Sequence, residues 1–373
     1  MNETLSDFDR RLLEALQGGV PLAARPYDVL AGELHAAPEA VIARVGELSA
    51  PGGIIREIAG IFDASALGYQ TTLVGAVVEP ARLDAPGAIV AAHPGVSHAY
   101  AREGARNLWF TLALGPDSRL GIDRTVELLG RMMGASSIHS FPTVRMYKLR
   151  VTFDMGGETG TGHSALGISG TVFDPVLVPR KAQPVGKAQT PQPRADDKCR
   201  MPNAECQVPS ASEILAIRAL QTPLPALAEP FDPLAREAGM PVDELLAHGA
   251  EFLARRWLRR YAAVLRHRAA GAACNVMVVW QVPEDRADAF GRRAGELAAV
   301  SHCYLRRSAP DWPWNLYTMV HGRDRAAADR TIADIAAGES PPRLDLPTGK
   351  EFKKQKVRLF TPDTARWEAA ATE

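Results

Sequence analysis

The 373-residue chain has only four cysteines, and their spacing builds no disulfide framework. Cys199 and Cys206 lack a His/Cys partner pair at zinc-site spacing, while Cys274 and Cys303 fall in expected strands as small apolar fillers. Charge of one sign is not in excess either. The 43 basic and 43 acidic residues cancel, which removes the electrostatic footprint of a dedicated nucleic-acid binder. No apolar run reaches the length that spans a bilayer. The acidic start, Met1-Asn2-Glu3-Thr4-Leu5-Ser6-Asp7, lacks the apolar region of a signal peptide. The expectation is a reduced cytoplasmic protein without membrane contact, long enough for two or more domains.

What is present is a repeat. Ala15-Leu16-Gln17 returns as Ala219-Leu220-Gln221, Pro26-Tyr27-Asp28 as Pro230-Phe231-Asp232, and Val96-Ser97-His98 as Val300-Ser301-His302. Pro142-Thr143 then meets Pro347-Thr348. A nearly constant offset over this distance means tandem duplication or fusion.

Each copy opens with three helical segments, 6–17, 27–34 and 38–48, then 214–220, 231–238 and 242–258, spaced as in a winged helix-turn-helix. Alternating strands and helices follow. Copy one reads as strand 70–79, helix 80–92, strands 95–102 and 106–114, helix 118–133 and strand 138–153. Copy two reads as strand 273–282, helix 284–298, strands 300–307 and 314–321, helix 324–337 and strand 351–360. The order βαββαβ is ferredoxin-like. The fold class is therefore α+β, two tandem copies of a winged helix-turn-helix plus a ferredoxin-like domain. Boundaries fall at 1–62, 63–154, 210–266 and 267–362, with a flexible linker over 155–209.

On a strand alternate residues share a face. His98, Tyr100 and Arg102 therefore line up in copy one, as do His302, Tyr304 and Arg306 in copy two. In the next strand Asn107 and Trp109 join the first row on an open face, and Asn315 and Tyr317 join the second. Arginine binds carboxylates through charge-assisted pairs, histidine ligates metal or moves a proton near neutral pH, and large rings stack on flat ligands. Such a set suits a planar molecule with many carboxylates. The plain alternative is two sheets packed face to face, with these residues satisfying one another. Copy two also carries Arg266-His267-Arg268 where copy one has Asp63-Ala64-Ser65, so the copies have diverged there. The third helices, 38–48 and 241–253, are too acidic to favour phosphate.

The layout resembles that of Lrp/AsnC regulators. The strings Arg25-Pro26-Tyr27, Pro94-Gly95-Val96-Ser97-His98-Ala99-Tyr100-Ala101-Arg102 and Asn107-Leu108-Trp109-Phe110-Thr111 are closer to their enzyme offshoot, the siroheme decarboxylases of the NirD/NirL and AhbA/AhbB type. So are Ala263-Val264-Leu265-Arg266-His267-Arg268, Asn275-Val276-Met277-Val278-Val279-Trp280 and Val300-Ser301-His302-Cys303-Tyr304. Copy one resembles the NirD-type partner and copy two the NirL-type partner, fused.

The resemblance implies removal of carboxylates from two acetate side chains of siroheme, giving didecarboxysiroheme for heme d1 or an alternative heme route. It implies no cofactor beyond the iron that siroheme itself brings. His98, His302, His267, Arg266 and Arg268 are then the expected catalytic residues. Arg102, Arg306, Tyr100, Tyr304, Asn107, Trp109, Asn315 and Tyr317 are expected to bind substrate, and His302 or His98 is a candidate axial ligand to its iron. The two copies are expected to form an internal pseudo-dimer, with a homodimer of whole chains left open. Two other readings stand beside this one: a heme-responsive Lrp/AsnC-type regulator, and a tetrapyrrole-binding protein without catalysis.

Overall fold

A computed structural model describes residues 5–149, 208–266 and 274–372. His267, Arg268, Cys199, Cys206 and all but the last two residues of the expected linker lie outside the described residues.

Copy one begins with α1 (Asp7–Gly18), α2 (Pro26–Leu34) and α3 (Pro38–Ser49), followed by β1 (Ile55–Phe62). Ser6 starts α1 with a capping box: its hydroxyl accepts the Asp9 N–H, and the Asp9 carboxylate accepts the Ser6 N–H. Pro26 and Pro38 open α2 and α3, where a missing N–H costs nothing. Then come β2 (Gln70–Val77), α4 (Asp84–Ala92), β3 (Val96–Arg102), β4 (Leu108–Leu114), α5 (Gly121–Met133) and β5 (Ser137–Leu149).

Copy two repeats the plan with α6 (Ala211–Leu220), α7 (Phe231–Ala238), α8 (Val242–Ala254) and β6 (Leu258–Leu265). Ser210 and Glu213 form the same capping box at α6. Next are β7 (Cys274–Trp280), α9 (Ala287–Glu296), β8 (Val300–Arg306), β9 (Leu316–Gly322), α10 (Arg325–Ala336) and β10 (Arg343–Lys354). A last helix, α11 (Asp363–Thr372), was not expected from the sequence. Its Glu368 accepts from the Ser118 hydroxyl and the Arg119 N–H, which ties the C-terminal helix to copy one.

The helix expected over 242–258 is shorter, and its end is a strand. Arg256 adopts a left-handed φ of 59°, which stops the helix. The chain then pairs as β6 antiparallel to β1, wing against wing. The two helix-turn-helix units share one core, in which Leu12, Leu16 and Tyr27 meet Ile217, Leu220 and Tyr261.

The eight remaining strands close into a barrel in the order β10-β3-β4-β2-β5-β8-β9-β7. Each ferredoxin-like sheet is half of it. The seams are made by the long last strands. β5 pairs with its own β2 through residues 137–142 and with the other copy's β8 through 143–149. β10 does the same with β7 and then β3. The strand expected at 351–360 meets β10 only over residues 351–354; β10 begins earlier, its first half lies beside β7, and residues 355–360 are not strand. Pro347 and Gly349 fall where the strand passes from one partner to the other.

Outer faces carry Phe110 and Leu112 against Val126 and Leu129 in copy one, and Val278 and Leu316 against Phe290 and Ile332 in copy two. Where each last strand crosses over, an aromatic ring lies on a helical glycine of the opposite copy: Tyr147 on Gly291 and Phe352 on Gly87. A Cβ at Gly291 would overlap the Tyr147 ring. Gly291→Ala is therefore expected to cost about 1–3 kcal/mol through overpacking. Denaturant unfolding checks this; an unchanged midpoint would mean the ring swings aside freely.

Candidate active site

The face left open in the sequence reading is not open. Because β5 and β10 zip the two sheets together, the His–Tyr–Arg rows line the inside of a closed barrel. Trp109 and Tyr317 sit in its packed centre with Phe141, Met277, Val279, Trp312 and Leu346. Trp109 stacks on Phe141 at 5.6 Å between ring centroids and donates its indole N–H to the Arg106 carbonyl. The Tyr317 phenol accepts the Trp312 indole N–H, and burial pushes its pKa far up. Trp312 comes from the longer β8–β9 loop of copy two, and neighbouring Asp311 pairs with the buried Arg106 and with His139 of copy one.

Four more expected substrate-binding residues spend their polar groups on structure. The Asn107 side chain accepts the Val78 N–H and donates to the Val78 carbonyl; Asn315 does the same with Val282. Arg102 donates Nη1 to the Leu346 carbonyl and the Thr348 hydroxyl, and Arg306 donates to Phe141 and Thr143. Both arginines are buried and hold the seams symmetrically, and burial lowers the Arg102 pKa to about 10. Arg266 is not brought to this face. Its guanidinium donates to the carbonyls of Gly53 and Ile55 beside the paired wings.

The histidines and tyrosines remain together. His98 and Tyr100 rings lie 6.2 Å apart, and those of His302 and Tyr304 lie 6.1 Å apart, all half-buried beside a seam. The strand across each seam differs. Opposite Tyr100 and His98 stand Glu351 and Lys354. Opposite Tyr304 and His302 stand Met146 and Leu149, which are 42% and 45% exposed. The first row therefore faces charge and the second an accessible apolar strip. Burial, then the Glu351 carboxylate, pushes the Tyr100 phenol up to about 12. Burial also raises Tyr304, offset in part by the Arg306 and Arg259 guanidiniums. Arg259, on β6, is half-exposed and pairs with Asp63 at 2.8 Å.

Behind the histidines the copies diverge again. Ser97 bridges His98 Nδ1 at 3.0 Å and the Thr111 hydroxyl at 2.5 Å. Ser301 bridges His302 Nδ1 and His321 Nε2, both at 2.6 Å, and His321 Nδ1 meets Asn275 Oδ1 at 2.5 Å. Sequence reasoning passed over His321, Asn275, Met146, Leu149 and Arg259 as site residues. The signal for His321 was alignment of β4 with β9, which the longer loop in copy two obscures. Among the described residues no cluster of three or more His, Cys, Asp or Glu is set to hold a metal ion. No helix among them is long and apolar enough to cross a membrane.

Comparison with known proteins agrees with this architecture. The AsnC-like ligand-binding domain family matches residues 66–148 and 269–353, and the siroheme decarboxylase NirDL-like helix-turn-helix domain matches 9–56. A siroheme decarboxylase of Hydrogenobacter thermophilus is 29% identical over 97% of both chains. The siroheme decarboxylase NirDL subunit of Paracoccus pantotrophus is 31% identical over 90% of both chains. The crystal structure of the siroheme decarboxylase NirDL with an iron-uroporphyrin III analogue superposes with a TM-score of 0.72 at 25% identity, covering 98% of this chain and 99% of that one. With near-full-length likeness in both sequence and fold, this chain belongs to the siroheme decarboxylase family, in its fused NirDL form.

Proposed function

We propose that the chain is a carboxy-lyase that converts siroheme to didecarboxysiroheme by removing the carboxylates of two acetate side chains, on the way to heme d1 or to heme by an alternative route. The observation that carries this reading is the His–Tyr row repeated on the two barrel seams. In each step the bond between the acetate methylene and its carboxylate breaks. Carbon dioxide leaves, the electron pair passes into the macrocycle, and one proton is added to the methylene carbon to make a methyl group. Iron enters with the substrate and the reaction is redox-neutral, so the proposal calls on no cofactor of the protein's own.

The chain's residues divide the remaining work. His302 and Tyr304 supply the proton at the copy-two seam, as His98 and Tyr100 do at the other. Met146 and Leu149 give the macrocycle an apolar surface and leave the departing carboxylate poorly solvated, which favours its loss. Arg259 anchors a retained carboxylate in exchange for Asp63. Arg102 and Arg306 act from beneath by holding the rows in register.

The reading places the protein in the cytoplasm and gives the helix-turn-helix units a scaffold role without nucleic acid. Arg44 of α3 is already paired with Asp9 and Glu47. Anaerobic incubation with siroheme, followed by chromatography and mass spectrometry, is expected to show stepwise loss of two carbon dioxide units. Siroheme returned unchanged would leave a binding protein and overturn the proposal.

A further inference from the structure

The hydrogen-bond chain behind His302 exists in one copy only, although the strands beneath it are equivalent in both. Register settles the equivalence. Thr71 pairs with Ala113 in copy one, and Asn275 pairs with His321 at the same place in copy two. Copy one thus ends its chain at the Thr111 hydroxyl, with a methyl group where copy two carries a second imidazole.

The direction of the copy-two chain follows from its last member. Asn275 Oδ1 is an acceptor, so His321 Nδ1 must carry the hydrogen. In a neutral His321, Nε2 then holds the lone pair and accepts the Ser301 hydroxyl hydrogen. Ser301 Oγ has donated its only hydrogen, so it accepts from His302 Nδ1. A neutral His302 therefore carries its lone pair at Nε2, and a protonated His302 presents N–H there. Ser301 is buried, which shields the link from competing water.

From this geometry we infer that His321, held by Asn275 and acting through Ser301, is a positioning residue that fixes the tautomer and ring orientation of His302, and that copy one carries Ala113 at the equivalent position. The inference rests on the decarboxylase reading for its consequence in turnover, but not for the tautomer itself. It assigns the two seams different tasks. One presents a histidine locked by a three-member relay beside an apolar strip. The other presents a histidine whose Nδ1 meets the Ser97 hydroxyl, beside Glu351 and Lys354. The same logic operates where an outer partner orients a metal-ligating or proton-moving histidine, and loss of such partners costs about 10–100-fold.

Two substitutions at one position test it. Gln in place of His321 offers an acceptor to Ser301 and a donor to Asn275 without an imidazole, whereas Leu offers neither. Nitrogen-15 histidine spectra of the full chain, recorded without siroheme, report the His302 tautomer directly. The expected result is an Nδ1–H tautomer in the native protein and in H321Q, and a mixed population in H321L. Anaerobic single-turnover assays are expected to show H321L about 10–100-fold slower in the chemical step, with siroheme affinity little changed, and H321Q restored to within a few-fold. An unchanged tautomer in H321L, or an H321Q as slow as H321L, would overturn the inference. A native protein that fails to decarboxylate siroheme defeats the functional reading, while the spectra still decide the relay.

Discussion

His302→Ala is expected to slow loss of carbon dioxide by about 10²–10⁴-fold, the range for removing a positioned proton donor. Three features converge on this residue. It lies half-buried on the barrel lining, its Nδ1 is held by Ser301, and across the seam Leu149 offers apolar surface. A proton is needed on carbon only as the carboxylate departs, so the loss should appear in the chemical step rather than in binding. His98→Ala removes the equivalent ring from a seam lined by Glu351 and Lys354. The two variants are therefore expected to stall at different stages, with different partly decarboxylated products. Single-turnover reactions quenched over time and resolved by mass spectrometry check this. Full activity in both variants would discard the roles given to the two histidines.

The second large effect is on stability. Trp109→Ala is expected to cost about 3–5 kcal/mol, as for a fully buried tryptophan replaced by a methyl group. Trp109 is 1% exposed and touches side chains from both copies, including Phe141, Trp312 and Tyr317. Its loss would leave a void in the buried cluster that side chains of both copies share inside the barrel, and its indole N–H would no longer satisfy the Arg106 carbonyl. Denaturant unfolding should show the drop, while the folded fraction keeps its affinity for siroheme. A protein of native stability that has lost siroheme affinity would instead restore the stacking role suggested by the sequence.

The contrast between these two residues shows what a strand pattern can and cannot carry. Alternation placed His98, Tyr100 and Arg102 on one face, and His302, Tyr304 and Arg306 on the equivalent face, and the strands bear those residues in that register. It could not say whether that face meets water, ligand or another sheet, because a strand's period is the same in all three. Trp109 and Arg102 share the face with His98, yet packing takes the first, and a carbonyl and a hydroxyl at the seam take the second.

The amino-acid sequence by itself determined the duplication, the helix-turn-helix and βαββαβ order, and the family likeness, since all of these are written in local periodicity and repeated strings. Tertiary structure alone decided that the last strand of each copy crosses into the other, that wings β1 and β6 pair, and that the sheets close into one barrel. It also decided that His321 and Asn275 stand behind His302 through Ser301, and that Leu149 and Met146 lie across the seam from His302 and Tyr304. Those neighbours come from β9, from β7 and from β5 of the other copy, and only non-local strand pairing brings them together.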